Sequence, residues 1–196
     1  LIEGSALRQH GFGDFDPGAQ ARPTPIFCLT PPAPGRKASR MDKITAALRA
    51  NRIVRAAMRH CALAGWAPVA QMPLPDSRRP DIIALTDTGS FIAIEVKSTA
   101  EDYLSDEKWQ DYRDWCDQLY FAVDTNFPRE ILPEDVGLLV TDRLEVAVIR
   151  DAPLMRLSPP RRRALLHRFA VLAAGRLAAL QDPDSAREVN AALKLE

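Results

Sequence analysis

Two short apolar runs, set five residues apart, constrain this 196-residue chain more than any other feature in it. Ile82-Ile83-Ala84-Leu85 follows Arg78-Arg79-Pro80-Asp81, and Phe91-Ile92-Ala93-Ile94-Glu95-Val96-Lys97-Ser98 follows the turn chemistry of Asp87-Thr88-Gly89-Ser90. Runs of Ile, Val and Phe bounded in this way read as two antiparallel strands joined by a tight hairpin. Side chains alternate between strand faces, so Glu95 and Lys97 share a face with Phe91 and Ala93. A two-residue turn at Thr88-Gly89 would send Asp81 to the opposite face. A three-residue loop, Asp87-Thr88-Gly89, brings Asp81 opposite Glu95, and Gly89 stands at the last loop position, where a left-handed residue is needed. The expectation is therefore a three-residue loop or an equivalent bulge, Gly89 at positive φ, and Asp81, Glu95 and Lys97 facing one cleft.

Carboxylates and lysines are almost never buried alone. Two carboxylates one strand spacing apart form a hard-oxygen site suited to Mg²⁺ or Mn²⁺, with the Val96 backbone carbonyl as a further donor. Such an ion activates water and polarises a phosphoryl oxygen, and an adjacent lysine orients the water or stabilises developing charge. The competing reading is an internal ion pair of Lys97 with Asp81 or Glu95.

The spelling Pro80-Asp81 … Glu95-Val96-Lys97 resembles the PD-(D/E)XK nuclease superfamily. Ser98, Asp102-Tyr103, Ser105-Asp106-Glu107-Lys108-Trp109, Tyr112, Cys116-Asp117 and Tyr120-Phe121-Ala122-Val123 then follow in order. Together these pieces are similar to the MmcB-like DNA repair proteins over about residues 43–182. The resemblance implies an α/β, restriction-endonuclease-like mixed sheet flanked by helices, closed by a C-terminal helix. It also implies a metal-dependent DNA nuclease of DNA repair, using Mg²⁺ or Mn²⁺, with possible repair-protein partners. Two alternatives stand beside it: a non-cleaving DNA-binding module on the same fold, and an RNA-directed nuclease. Members of the superfamily often carry an acid on the first helix, and none occurs from Lys43 to Ala64; Gln71 sits where a related chain would place one.

Net charge is zero, so any footprint for DNA has to be local. Arg78, Arg79 and Arg161-Arg162-Arg163 are candidates for the DNA side, as are Ser98, Asp102 and Lys108; a solvated face or a surface ion pair would explain the charged ones as well. The stripe Arg49, Arg52, Arg55 and Arg59 on the first helix has the same two readings, phosphate contact or solvated face. Three scattered cysteines suggest neither disulfides nor zinc and fit a reducing cytoplasm. No apolar run approaches bilayer length.

Residues 1–40 hold five of the nine glycines and a run of prolines without hydrophobic period. They read as a disordered extension, or as an upstream start preceding a natural initiator at Met41. The domain is expected over 41–182, with a tail over 183–196. Its elements are a helix over 42–64 capped by Asp42, strands at 69–74, 82–85 and 91–96, and a helix over 105–116. A strand at 119–123 and a strand pair turning at Asp142-Arg143 come next. A helix from Ser158 to Gln181 follows, burying Leu165, Leu166, Phe169, Leu172, Ala173 and Leu180.

Overall fold

The computed structural model describes residues 39–193; the extension expected over 1–40 lies almost wholly outside them. Six strands form one open sheet in sequential order: β1 (Ala67–Ala70), β2 (Ile82–Leu85), β3 (Phe91–Val96), β4 (Gln118–Asp124), β5 (Gly137–Asp142) and β6 (Glu145–Arg150). β2 is antiparallel to both β1 and β3; β3, β4 and β5 run parallel; and β6 returns antiparallel to β5. The mixed sheet is flanked by helices and followed by a C-terminal helix, as the sequence led one to expect.

Period-two alternation explains why both faces are covered. Ile82, Ala84, Ile92, Ile94, Val96, Ala122 and Leu139 face α1 (Arg40–Leu63), packing on Ile53, Ala57 and Cys61. Ile83, Phe91, Ala93, Phe121 and Val140 face the other way, onto Trp109, Tyr112 and α3 (Pro159–Gln181) through Leu165, Phe169 and Leu172. Strands buried on both faces are near-continuous apolar runs, and β3 is buried at every position.

The hairpin register is the one the chemistry required. Leu85 pairs with Phe91 and Ile82 with Ile94, so the ladder runs on to place Asp81 across from Glu95. The loop is Asp87-Thr88-Gly89, closed by Thr86 N–H to the Ser90 carbonyl, with Gly89 at φ +80.

Local chemistry shifts several elements. Ser39, not Asp42, caps α1; its hydroxyl accepts from Asp42 N–H while the Asp42 carboxylate accepts from Ser39 N–H, a reciprocal box with Asp42 three residues in. β1 stops at Ala70 because Gln71 adopts φ +52. The helix expected from Ser105 is replaced by a short α2 (Ala100–Leu104), capped by Thr99, and a 3-10 segment at Trp109–Trp115. The last hairpin turns at Arg143-Leu144, with Asp142 and Glu145 paired across it and Arg143 at φ +54. Along α3, Leu166 and Leu180 are exposed rather than buried. The residues after 185, read as a short polar helix or a frayed tail, form α4 (Ala186–Leu193), packed on α3. No helix of the described residues is long and apolar enough to cross a membrane.

Candidate active site at the end of β3

Pro80 starts the site. Ladder pairing sets it opposite Val96, in a position where antiparallel partners exchange hydrogen bonds. Proline has no N–H to give, so the Val96 carbonyl lacks its ladder donor there. The Val96 N–H is taken instead by the Asp81 carboxylate at 2.8 Å. The other Asp81 oxygen accepts from Gln71 Nε2 at 2.6 Å, an orientation that the positive φ of Gln71 accompanies.

Glu95 and Lys97 leave β3 on the same face and are both buried. Lys97 Nζ lies 3.1 Å from Glu95 Oε1 and 2.5 Å from Asp106 Oδ2. Glu95 Oε2 is buried and has no hydrogen-bond partner, the single such side-chain atom among the described residues. Burial pushes the Glu95 carboxyl up to about 8, with the nearby Asp81 charge adding to the rise and Lys97 opposing it. Burial also raises Asp81, against the hydrogen bonds from Val96 and Gln71. For Lys97, burial works downward, but Glu95 and Asp106 outweigh it, and its ammonium stays charged. Asp106 is held low, burial being overcome by the bond from Lys97.

Asp81, Glu95 and Lys97 therefore come together, with Val96 between them. Asp102 lies close by, accepting from Ser98 N–H at 3.2 Å and raising Asp81 slightly by its charge. Ser98 is buried; the Lys108 side chain is exposed, while its backbone N–H caps Asp106. Arg78 pairs with Asp111 at 2.6 Å, and Arg79 is exposed and forms no ion pair among the described residues. Arg161–Arg163 lie elsewhere. Arg162 grips the buried Asp117, whose oxygens also accept from Phe91 and Leu157 N–H, at the opposite end of β3. At about 3.3 Å per residue that end is roughly 20 Å from Lys97. Arg161 binds Asp114 and stacks over Trp115, and Arg163 is exposed.

Sequence reasoning missed Asp106. Ser105-Asp106-Glu107 looks like the first turn of a helix, and that reading absorbed it. The signal lay upstream, where Thr99 followed three residues later by Asp102 marks the true helix start. Among the described residues, no three His, Cys, Asp or Glu side chains form a metal-binding group.

A family model described as DNA repair protein MmcB-like matches residues 37–184. One similar solved structure is described as the SPO1766 protein of unknown function from Silicibacter pomeroyi. It is 39% identical, with a TM-score of 0.67, and the match covers 69% of this chain and 93% of that one. No curated protein matches the chain.

Proposed function

The chain belongs to the MmcB-like DNA repair protein family, and we propose that within DNA repair it is a metal-dependent nuclease that hydrolyses phosphodiester bonds in DNA. The observation that carries this reading is the unpartnered Glu95 Oε2. A buried carboxylate oxygen without a donor is costly unless something fills the place. A divalent cation fits the donors present. Glu95 Oε2, Asp81 and the Val96 carbonyl are hard oxygens at the adjoining ends of β2 and β3, and they would hold Mg²⁺ or Mn²⁺ with water completing the shell. Bound there, the ion would supply Lewis-acid activation of a phosphoryl oxygen and of a water.

The chain's own residues divide the remaining work. Lys97 has three N–H donors; two are spent on Glu95 and Asp106, and the third is left for a phosphate oxygen or a water. Its raised pKa makes it a donor and a fixed positive charge, not a proton acceptor. Asp106 sets the direction of that ammonium. Asp81 is locked by Gln71 and Val96 N–H, so its carboxylate is preorganised.

A second reading has its own support: both Asp81 oxygens already accept hydrogen bonds, and the first helix supplies no acid. On that reading the domain binds DNA without cutting it. Cleavage of a panel of branched and damaged DNAs with Mn²⁺, wild type against Lys97→Ala, decides between them. Mn²⁺-dependent cleavage lost in Lys97→Ala supports the nuclease. DNA binding with no cleavage under any divalent ion supports the second reading.

A further inference from the structure

A cavity of about 520 Å³ opens on the α1 side of the sheet, at the carboxyl ends of β4 and β5. Arg49, Arg52, Arg55 and Arg143 line it, against two aspartates, Asp124 and Asp142. Arg49 is anchored, with its Nε 3.4 Å from Asp124 and its Nη1 3.5 Å from the Ser98 carbonyl. Arg52, Arg55 and Arg143 are exposed and form no ion pair among the described residues. The first two stand three apart on α1, on neighbouring turns of one face.

We propose that this cavity binds the backbone phosphates of a DNA strand that continues from the Glu95–Lys97 site. Guanidinium groups match phosphate geometry, and among the described residues three of them here form no ion pair with a carboxylate. Position supplies the rest of the argument. The β3–β4 register, Val96 beside Ala122, runs on to set Ser98 beside Asp124. The cavity's Asp124 edge thus stands one strand over from Ser98, the residue after Lys97. Arg49, which lines the cavity, reaches the Ser98 carbonyl, and from Asp124 the cavity extends to the end of β5. Strands lie about 4.8 Å apart, so from Ser98 this is a span of roughly 10 Å, or about three nucleotides at 3.4 Å of rise each. The carboxyl ends of parallel strands are also where open α/β sheets receive their ligands. A strand crossing the sheet end meets Lys97 from one face and the arginines from the other.

The proposal rests on the DNA-directed reading but not on cleavage, so it is tested without metal. Binding of a fluorescent single-stranded DNA oligonucleotide to the full chain is measured in EDTA over a range of salt, with deoxynucleoside monophosphate as competitor. The double variant Arg52→Ala/Arg55→Ala is expected to bind about tenfold more weakly, and its salt slope is expected to shrink by about 1.4, at 0.7 per phosphate contact. Arg59→Ala on the same helix, outside the cavity lining, is expected to bind as wild type does. Alanine is the best helix former, and an unchanged far-UV spectrum confirms folding. Arg52→Lys/Arg55→Lys should recover part of the affinity. Equal losses in the double variant and Arg59→Ala, no loss in either, no oligonucleotide binding by wild type, or a monophosphate binding as tightly as the oligonucleotide would each overturn the proposal. A wild type that binds in this way yet never cleaves leaves the proposal standing and removes the nuclease reading. Mn²⁺-dependent cleavage unaffected by the double variant, with its affinity for the oligonucleotide unchanged, does the reverse.

Discussion

A buried carboxylate stands near each end of β3, Asp117 from the start of β4 and Glu95 from β3 itself, and the two are treated in opposite ways. At the Phe91 end, Asp117 receives two backbone N–H groups and a forked pair from Arg162, at 2.7 to 3.1 Å. Burial alone would raise its pKa, but the Arg162 bonds and the two N–H groups outweigh that, and its carboxyl is held low. At the Lys97 end, Glu95 accepts one hydrogen bond from the protein, leaves one oxygen bare and is pushed up to about 8. A buried charge with every lone pair occupied is a strut. A buried carboxyl left half-satisfied, and pushed by burial toward its neutral form, marks a place built for something else.

The largest effect should come from breaking the strut. Asp117→Asn turns an NH₂ toward groups that are all donors, and leaves Arg162 without its counter-charge. A stability loss of about 3 kcal/mol is expected, or a fall in Tm of roughly 6–12 °C for a chain of this size. Calorimetry checks it. The pH dependence has a definite sign. Because the folded pKa lies below the unfolded one, this stabilisation is present above the ordinary carboxylate pKa and is lost as pH falls through the depressed folded value. A variant as stable as wild type at neutral pH would mean that the Asp117 cluster is not the anchor it looks like.

Next in size is Lys97→Ala. Removing a preorganised donor at a developing charge should reduce Mn²⁺-dependent DNA cleavage by about a hundredfold or more. Metal binding should persist or tighten, since a nearby positive charge is gone. Full cleavage activity in this variant would refute the role given to Lys97.

Glu95→Gln should act in the reverse sense to Asp117→Asn. Unfolded, Glu95 titrates near its ordinary 4.5, and folded near 8, so between those values the native state holds the extra proton. Stability of the metal-free protein should fall as pH rises through that window. The amide variant has no such slope, and at pH 8 without metal it should be the more stable, by on the order of 1 kcal/mol. Mn²⁺ should raise the Tm of wild type at pH 8 and leave Glu95→Gln unmoved. A wild type indifferent to both pH and metal would place Glu95 with Asp117 as a purely structural group.

How far the sequence discloses all this depends on the range of the interactions. The strands, their register and the gathering of Asp81, Glu95 and Lys97 follow from period-two alternation and from one glycine, so they are legible in a 20-residue window. Asp106 and Arg162 are not. Asp106 reaches Lys97 only because α2 starts at Thr99 and ends early, a choice between two nearby caps, Thr99 and Ser105, that local chemistry leaves close to even. Arg162 looks like one of three equivalent arginines at a helix start, where positive charge is unfavourable. Its partner Asp117 is 45 residues away, and only the packing of α3 on the sheet selects it over Arg161 and Arg163. The arginine stripe of α1 shows a similar limit. Its spacing is visible, but which of its members line a cavity depends on where β4 and β5 end.

The smallest predicted effect joins the two ends of β3. Arg162 Nη1 donates both to Asp117 and to the Gly89 carbonyl, at 2.6 Å for the latter. The satisfied end thus clamps the loop whose length sets Asp81 opposite Glu95 at the other end. Gly89 has φ +80 and open space where a Cβ would stand, so a substitution there meets backbone strain and no clash. Gly89→Ala should cost about 1 kcal/mol. Gly89→Asn should cost less, because asparagine tolerates the left-handed region better than most residues. If the clamp holds the register, both variants lose stability in that order while keeping Mn²⁺ affinity unchanged, as thermal melts with and without metal would show. A loss of metal affinity out of proportion to the melt would mean that the loop slips to the two-residue turn. One residue of slip carries Asp81 to the other face, and the comparison between the two ends would then reduce to a single coupled unit.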